Sequence, residues 1–388
     1  MKKIALLVGL AAAFGFNNAE AVDWNWKGDV RERYESQLTN TTTVTDTPGS
    51  SRARTRVRLG VYPWINEELS AGVQISTGND TPAETISRNQ NFGSLFQPKS
   101  IYLNEEFVDY HPMSYGLNGK VNLIVGKREV ASTLVRIDNL VYDSDLTFEG
   151  ATLQYGKDSD GKDKDGLIAV AGYYTLNSWS STTVTDPALM IGQLAYKGEL
   201  NEMSYTVGGA YNMYRSVQNI SITGDKAAIG TDTNGAYYSA PTPAAYPNSR
   251  YNIAELFGKI GGQLTDTLPW KVYGQYAHNT ASNAKAIAYN RKNAWLAGVS
   301  LGEAKQVGEW ALDAKYDHIE RDAVFPLFTD SDRKVGTIVN VKGFEVAGTY
   351  HLVQNLTVGA RYFHYSNIDK VAGDPTLHQV QLDALVKF

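Results

Sequence analysis

Alternation of apolar and polar residues with a period of two recurs along almost the whole chain, and this feature most limits how the chain can fold. The clearest example is the last run, 377–388, in which Val380, Leu382 and Val386 alternate with largely polar residues. A period of two places alternate side chains on opposite faces of a β-strand. The run therefore predicts a strand with one apolar face and one polar face.

Sixteen runs of this kind can be counted, each close to the roughly 9 to 11 residues that a tilted strand needs to cross a bilayer. No stretch after the N-terminus reaches 18 consecutive apolar residues, which excludes a helical membrane protein. Because single-chain bacterial barrels have even strand numbers, we predict an all-β fold, a closed antiparallel transmembrane β-barrel of about 16 strands. The runs lie at 24–35, 52–63, 69–78, 101–111, 120–128, 149–156, 167–176, 189–197, 203–214, 251–263, 270–279, 294–302, 309–324, 338–352, 356–366 and 377–388.

Short and long connections alternate between these runs, which a soluble β-sandwich has no reason to produce. Short periplasmic turns and long extracellular loops are the arrangement of outer-membrane barrels. We expect the longest loop, 215–250, to form an exposed and mobile cap. The short connections include 66–68, 199–202, 265–267 and 353–355, and the long ones include 37–51, 79–100, 129–148 and 215–250.

The first residues have the three zones of a secretory signal peptide. Lys2 and Lys3 precede an apolar run at 4–16, which is followed by Ala19-Glu20-Ala21. The apolar run is shorter than the roughly 20 residues that a membrane anchor needs. We therefore expect residues 1–21 to be a signal peptide that directs export. No linker or change of composition divides the remainder, so residues 22–388 are predicted to form a single barrel domain in the outer membrane.

Aromatic residues lie where the short turns begin or end, as expected of a girdle at one membrane interface. Any one of them could instead be an ordinary packing residue, so the prediction depends on their shared level. The residues concerned are Trp24, Trp26, Trp64, Tyr110, Tyr155, Tyr196, Trp270, Trp310, Tyr350 and Phe388.

Basic side chains are gathered on one face of the first two runs, with one more on the run before the last. A charge that faces lipid at the bilayer midplane costs about 2 to 4 kcal/mol. We therefore expect these side chains to line the lumen, which is wide enough for water in a barrel of 16 strands. The predicted pore-lining basic residues are Arg31, Arg33, Arg52, Arg54, Arg56, Arg58 and Arg361.

Five segments resemble those of the putative porins of Gram-negative bacteria, a family of outer-membrane β-barrel channels. The resemblance extends over most of the mature chain and implies passive transport. The resemblance to general porins with 16 strands also suggests that this protein forms a homotrimer. The segments are LVYDSDLTFEG (140–150), LPWKVYG (268–274), WLAGVSLG (295–302), TDSD (329–332) and VKGFE (341–345).

In general porins the third loop folds into the barrel and its acids face a basic wall. By resemblance of architecture, the third long loop would supply the constriction acids Asp138, Asp143 and Asp145, with Glu149 from the start of the next strand. The alternative is that these are solvated loop residues. The arginines favour anions locally, whereas the formal net charge of −5 acts in the opposite direction, so ion preference stays open.

The expected function is therefore a porin for passive diffusion of small hydrophilic solutes and ions, with outer-membrane lipid and lipopolysaccharide as surroundings. Three alternatives stay open: a substrate-selective or anion-selective channel, a surface adhesin, and, less favoured, an outer-membrane enzyme. Strand alternation places Asp317 on the face opposite His318, so we predict no catalytic residues, and no cofactor. The mild negative charge gives no footprint for nucleic acid.

The run at 158–166 resembles a calcium loop but has Lys162 where the motif needs a ligand and lacks the final glutamate. A solvated hairpin turn is the preferred interpretation, and no metal site is predicted.

Overall fold

The computed structural model describes residues 22–40, 49–78, 85–93, 95–114, 117–177, 185–217, 251–281, 291–335, 338–369 and 375–388. In these ranges the chain forms one antiparallel sheet of 17 strands. The strands are β1 (Asp23–Asn40), β2 (Ser50–Asn66), β3 (Leu69–Thr77), β4 (Gln90–Asn91), β5 (Ile101–Tyr110), β6 (Val121–Glu129), β7 (Thr147–Tyr155), β8 (Gly166–Thr175), β9 (Ala188–Leu200), β10 (Met203–Arg215), β11 (Asn252–Thr265), β12 (Leu268–Asn279), β13 (Asn293–Gly302), β14 (Trp310–Ile319), β15 (Val341–Val353), β16 (Leu356–Asn367) and β17 (Thr376–Lys387).

The sheet closes on itself because the last strand pairs with the first. β17 pairs with β1 from Thr376 opposite Asn40 to Lys387 opposite Asp29. Beyond that register, the Gly28 amide donates to the Phe388 carbonyl at 2.8 Å, and the Phe388 amide donates to the Gly28 carbonyl at 3.0 Å. Closure satisfies backbone groups that would otherwise face hydrocarbon unpaired.

The prediction of a closed 16-strand barrel is confirmed, since β4 is a two-residue strand in the second long loop that pairs with β2. Several boundaries differ from the prediction. β1 continues to Asn40 and β2 starts at Ser50, which shortens the first loop. β14 ends at Ile319, so the predicted run to 324 was too long.

The described residues contain one helical turn, α1 (Val130–Thr133), within the third long loop. None of their helices is long and apolar enough to cross a membrane. The predicted signal peptide, 1–21, and most of the predicted cap at 215–250 lie outside the described residues.

Alternation along each strand separates an apolar outer face from a polar inner face. Leu194 and Leu256, which point outward, are 62% and 65% exposed, whereas their neighbours Gln193 and Glu255, which point inward, are 4% and 7% exposed. Outward apolar exposure of this extent is what a membrane-facing wall requires. The inner face is polar because its side chains meet water, loops and one another.

Aromatic residues form two levels on the outer face. The predicted level follows the short turns, where Trp310 lies opposite Tyr350 in the register of β14 and β15. A second level lies six residues further along the strands, where Tyr316 lies opposite Phe344. The sequence interpretation recognised only the first level. The second level comprises Tyr173, Tyr211, Tyr276, Trp295, Tyr316, Phe344 and Tyr362.

The alternation can be tested with single cysteines because the chain has none of its own. Val299 is 53% exposed on the outer face, and Ser300 points inward to Asp313. In proteoliposomes, Ser300→Cys should react with a charged methanethiosulfonate at least about tenfold faster than Val299→Cys, because lipid covers only the outer face. Equal labelling rates of the two variants would contradict this orientation.

Candidate functional site

The arginines of β2 point into the barrel and are neutralised by acids on the facing strand. Arg52 lies 2.5 Å from Glu35, and Arg56 and Arg58 lie 2.9 Å and 2.7 Å from Asp29. The register explains the pairing, since β1 runs antiparallel to β2 with Asp29 opposite Arg58 and Glu35 opposite Arg52. The arginines are therefore the basic members of an ion-pair network and do not form a row of unpaired positive charges.

The arginines of β1 and β16 are placed on the same inner face. Arg33 donates to the Asp383 carboxylate at 2.7 Å, and Arg361 lies 2.8 Å from Glu345. Arg31 differs, because its guanidinium donates to the Asn89 side chain at 2.7 Å.

The third long loop lies inside the barrel, where its apolar residues are buried. Leu140 and Val141 are about as buried as core residues of a soluble protein, at 0% and 1% exposure. Wall side chains satisfy the loop backbone: the Val135 amide donates to Gln193 at 2.7 Å, and the Gln193 amide group donates back to the Val135 carbonyl at 3.1 Å. Such bonds give irregular backbone in the lumen partners for its buried amide and carbonyl groups.

Two of the four predicted loop acids meet basic residues of the wall. Asp145 lies 3.3 Å from Arg56, as the predicted pairing with the arginine face requires. Asp138 lies 2.8 Å from Lys315 of β14, on a different wall and with a partner that the sequence interpretation did not name.

The other two predicted acids do not meet an arginine. Asp143 is buried and accepts from the Asp145 amide at 2.7 Å. Glu149 lies on the outer face of β7, 2.5 Å from Lys127, and does not join the loop acids. β7 begins at Thr147, and strand alternation from there turns Glu149 outward.

A second loop, the 320–340 loop, is described at 320–335 and 338–340, and it also folds inward and packs on the third long loop. The Asp143 amide donates to the Phe328 carbonyl at 2.7 Å, and Thr329 donates to the Leu140 carbonyl at 2.8 Å. Asp332 of this loop lies 3.5 Å from Arg33. The sequence interpretation missed this contribution because the preceding strand had been extended to 324, although the acids of TDSD at 329–332 were a visible signal.

The acids of the strands complete the inner face. Asp29, Glu35, Asp383 and Glu345 share it with the arginines. Strand parity in the sequence places Asp29 and Asp383 on the polar faces of the first and last runs, but it does not indicate which arginine each acid meets, and Glu35 and Glu345 had not been assigned to that face.

Two polar cavities lie between the inward loops and the wall. One, of about 250 Å³, is lined by Arg31, Arg33, Arg56 and the loop acids. The other, of about 480 Å³, is lined by Lys271, Tyr273 and Lys315 among others. The two cavities share lining residues, which are Asn139, Ser144, Thr349 and Arg361. The two cavities are therefore adjacent beside the inward loops.

The β7–β8 turn enters the barrel from the opposite end. Asp160 lies 3.1 Å from Lys27 of β1, and Asp165 lies 3.0 Å from Lys197 of β9. Gly161 has a φ of +80° and packs so closely on Ser132 that a Cβ would come within 2.5 Å of its carbonyl oxygen. The turn that was predicted to be a solvated hairpin is therefore partly buried. Its lysines form ion pairs with the carboxylates that a bound cation would need.

The loop acids experience opposite electrostatic surroundings. Burial raises the pKa of Asp143 well above its ordinary value, and the neighbouring carboxylates of Asp330 and Asp145 raise it further. Burial also acts to raise the pKa of Asp145, but Arg56 and Arg58 outweigh it and lower that pKa. Asp143 is therefore the acid of this loop that takes up a proton first.

A raised pKa in the folded state means that stability is lost as the pH rises through that pKa. Asp143→Asn should therefore stabilise the protein at neutral pH, because it removes a buried group whose raised pKa opposes ionisation. The melting temperature of the wild-type protein in detergent should fall between about pH 4 and neutrality more than that of Asp143→Asn. Asp266→Asn, in the exposed turn between β11 and β12, is the control and should keep the wild-type trend. An unchanged pH dependence in Asp143→Asn would contradict the prediction.

Comparisons with known proteins agree on one architecture. The OprB structure of Pseudomonas putida has a TM-score of 0.56 at 12% identity over 94% of each chain. The outer-membrane channel DcaP of Acinetobacter baumannii has a TM-score of 0.52 at 12% identity, covering 96% of this chain and 99% of that one. An anion-selective porin from Comamonas acidovorans has a TM-score of 0.50 at 12% identity, covering 95% and 100%. At such identities the likeness shows the fold alone.

No curated protein sequence matches the chain. A family model described as "Putative porin" matches residues 12–242 and 244–388, which is nearly the full length. The closed barrel, the polar interior and the family match agree, and they locate the protein in the bacterial outer membrane. The chain belongs to the putative porin family of outer-membrane channel proteins.

Proposed function

We propose that the protein is a porin whose water-filled channel lets small hydrophilic solutes and ions diffuse passively across the outer membrane. The observation that carries the proposal is the pair of adjacent polar cavities inside a closed barrel. Charged and amide side chains line both, so a hydrated solute keeps polar partners along its path. The family is one of channels, and the protein acts without catalysis.

The constriction is formed by the third long loop together with the 320–340 loop. The loop acids Asp143 and Asp145 face Arg31, Arg33 and Arg56 across a cavity of about 250 Å³. Opposite charges on two sides of a narrow passage create a transverse field, which favours small polar solutes over apolar ones.

The bond between Asp138 and Lys315 holds the third long loop to β14. Removing both groups in Asp138→Asn/Lys315→Gln keeps the net charge and frees the loop on that side. We expect larger and noisier single-channel steps in planar bilayers, with conductance raised by about 1.5-fold or more, because a loosened loop widens the constriction. The measurement is single-channel conductance in symmetrical salt.

The matched control is Lys305→Gln/Glu303→Gln, an exposed ion pair in a connecting turn away from the lumen. Its conductance should equal that of the wild type. Refolded wild-type protein that gives no conductance would overturn the porin proposal and favour a surface adhesin. Equal conductance in the wild type and both variants would show that the third long loop does not form the constriction.

We further propose a homotrimer, with outer-membrane lipid and lipopolysaccharide around the rest of the barrel. Glu106, Lys127 and Glu149 form a charged row across the outer face of β5, β6 and β7. Charge facing lipid is costly, by about 2 to 4 kcal/mol at the midplane. Leu95 and Phe96 in the neighbouring loop are 90% and 105% exposed. A second copy of the chain would cover both features.

The assembly is tested by light scattering in mild detergent. The wild type should be a trimer, and Lys127→Glu should be monomeric because it places three acids side by side. Lys342→Glu is the matched control, since Lys342 also points outward, on β15 opposite His318. A monomeric wild type, or equal dissociation in both variants, would contradict the proposed interface.

A further inference from the structure

The basic residues of the constriction are mostly neutralised by carboxylates. Seven of them lie within 4.0 Å of an acid. The carboxylates in these pairs number eight. The seven paired basic residues are Arg33, Arg52, Arg54, Arg56, Arg58, Lys315 and Arg361.

Arg31 is the exception on this wall. Its guanidinium donates to the neutral side chain of Asn89 at 2.7 Å, and its Nε is buried without a hydrogen-bond partner. Within the described ranges it forms no ion pair with an acid. It lines the cavity of about 250 Å³ together with Arg33 and Arg56. An anion in this cavity can therefore bond to Arg31 without displacing a carboxylate.

Two lysines nearer the other end of the barrel resemble Arg31 in this respect. Lys259 of β11 lies opposite Tyr273 of β12, and Lys271 precedes that tyrosine by two residues on the same inner face. In the described part of the chain, neither lysine forms an ion pair. The nearby Lys197 does, because it lies 3.0 Å from Asp165.

The surroundings of Lys271 leave its ammonium group available. The Lys271 Nζ lies 5.1 Å from the centre of the Tyr273 ring, and that tyrosine donates its hydroxyl proton to Asp313 at 2.8 Å. Asp313 also accepts from Ser300, so neutral donors occupy it. Lys271 is exposed on the inner face and lines the cavity of about 480 Å³.

Pairing decides which charges a solute can use. A cation in contact with a carboxylate presents a dipole, whose field falls faster with distance than that of a single charge. Its donors are also already engaged by that carboxylate. A cation without such a partner keeps both its field and its donors. Local anion preference therefore depends on the unpaired cations, although the arginine network is larger.

We propose that Arg31, Lys271 and Lys259 form a track that selects small anions bearing a carboxylate or phosphate group. Arg31 lines the cavity of about 250 Å³ and Lys271 lines the adjacent cavity of about 480 Å³, while Lys259 lies on the strand next to that of Lys271. The inference depends on the proposed channel function and adds its solute class. It assigns selectivity to residues other than the paired arginines.

The experiment measures reversal potentials in planar bilayers under a potassium chloride gradient. Lys259→Gln/Lys271→Gln should lower the chloride-to-potassium permeability ratio by about threefold or more, because two unpaired positive charges leave the pore wall. Inorganic phosphate at millimolar concentration should reduce the chloride current of the wild type and affect the variant less. Single-channel steps should persist in the variant.

Two controls separate local from general charge effects. Lys120→Gln/Lys305→Gln removes the same net charge from exposed sites in two connecting turns, and Glu303→Gln/Lys305→Gln removes an exposed ion pair without a net change. Both should keep the wild-type permeability ratio. A chloride-to-potassium permeability ratio that is unchanged in Lys259→Gln/Lys271→Gln, or that shifts equally in the controls, would overturn the proposed anion track. It would leave the proposed channel function intact. Absence of conductance in the wild type would instead overturn the channel.

Discussion

The pairing of β1 with β17 is the interaction on which the rest of the structure depends. Hydrocarbon offers no partner to a backbone amide or carbonyl, so a sheet in a membrane must have no free edge. Here the two ends of the chain meet edge to edge, from Asn40 opposite Thr376 to Asp29 opposite Lys387. Closure creates an interior, and every feature of the candidate pore is a consequence of what that interior contains.

The positive charges that line this interior must then be balanced by negative charges. The arginines of β1 and β2 stand beside acids of the neighbouring strands and of two inward loops, so few charges are left without a partner. The same ion pairs hold the loops, as Asp138 does with Lys315. Removing one member of such a pair leaves a buried charge alone, which is why the network both narrows the lumen and stabilises it.

The fold could be predicted closely because a period of two needs no knowledge of distant contacts. The alternation at 24–35, 52–63 and 377–388 is local, and it indicates which side chains share a face. The same reasoning placed the arginines inward, but it was not applied to Glu149. That residue was taken from the start of a strand and grouped with the loop acids by resemblance of architecture, although the strand that begins at Thr147 turns it outward.

By itself, the sequence determined the number of strands, the sides on which turns and loops lie, and which residues face inward, because each depends on neighbours a few positions apart. Only the tertiary structure decided which charges meet. Arg33 and Asp383 are separated by 350 residues and Arg33 and Asp332 by 299. Their encounter depends on barrel closure and on how the inward loops pack. These contacts leave Arg31, Lys259 and Lys271 without a carboxylate partner among the described residues, and no local pattern encodes that difference.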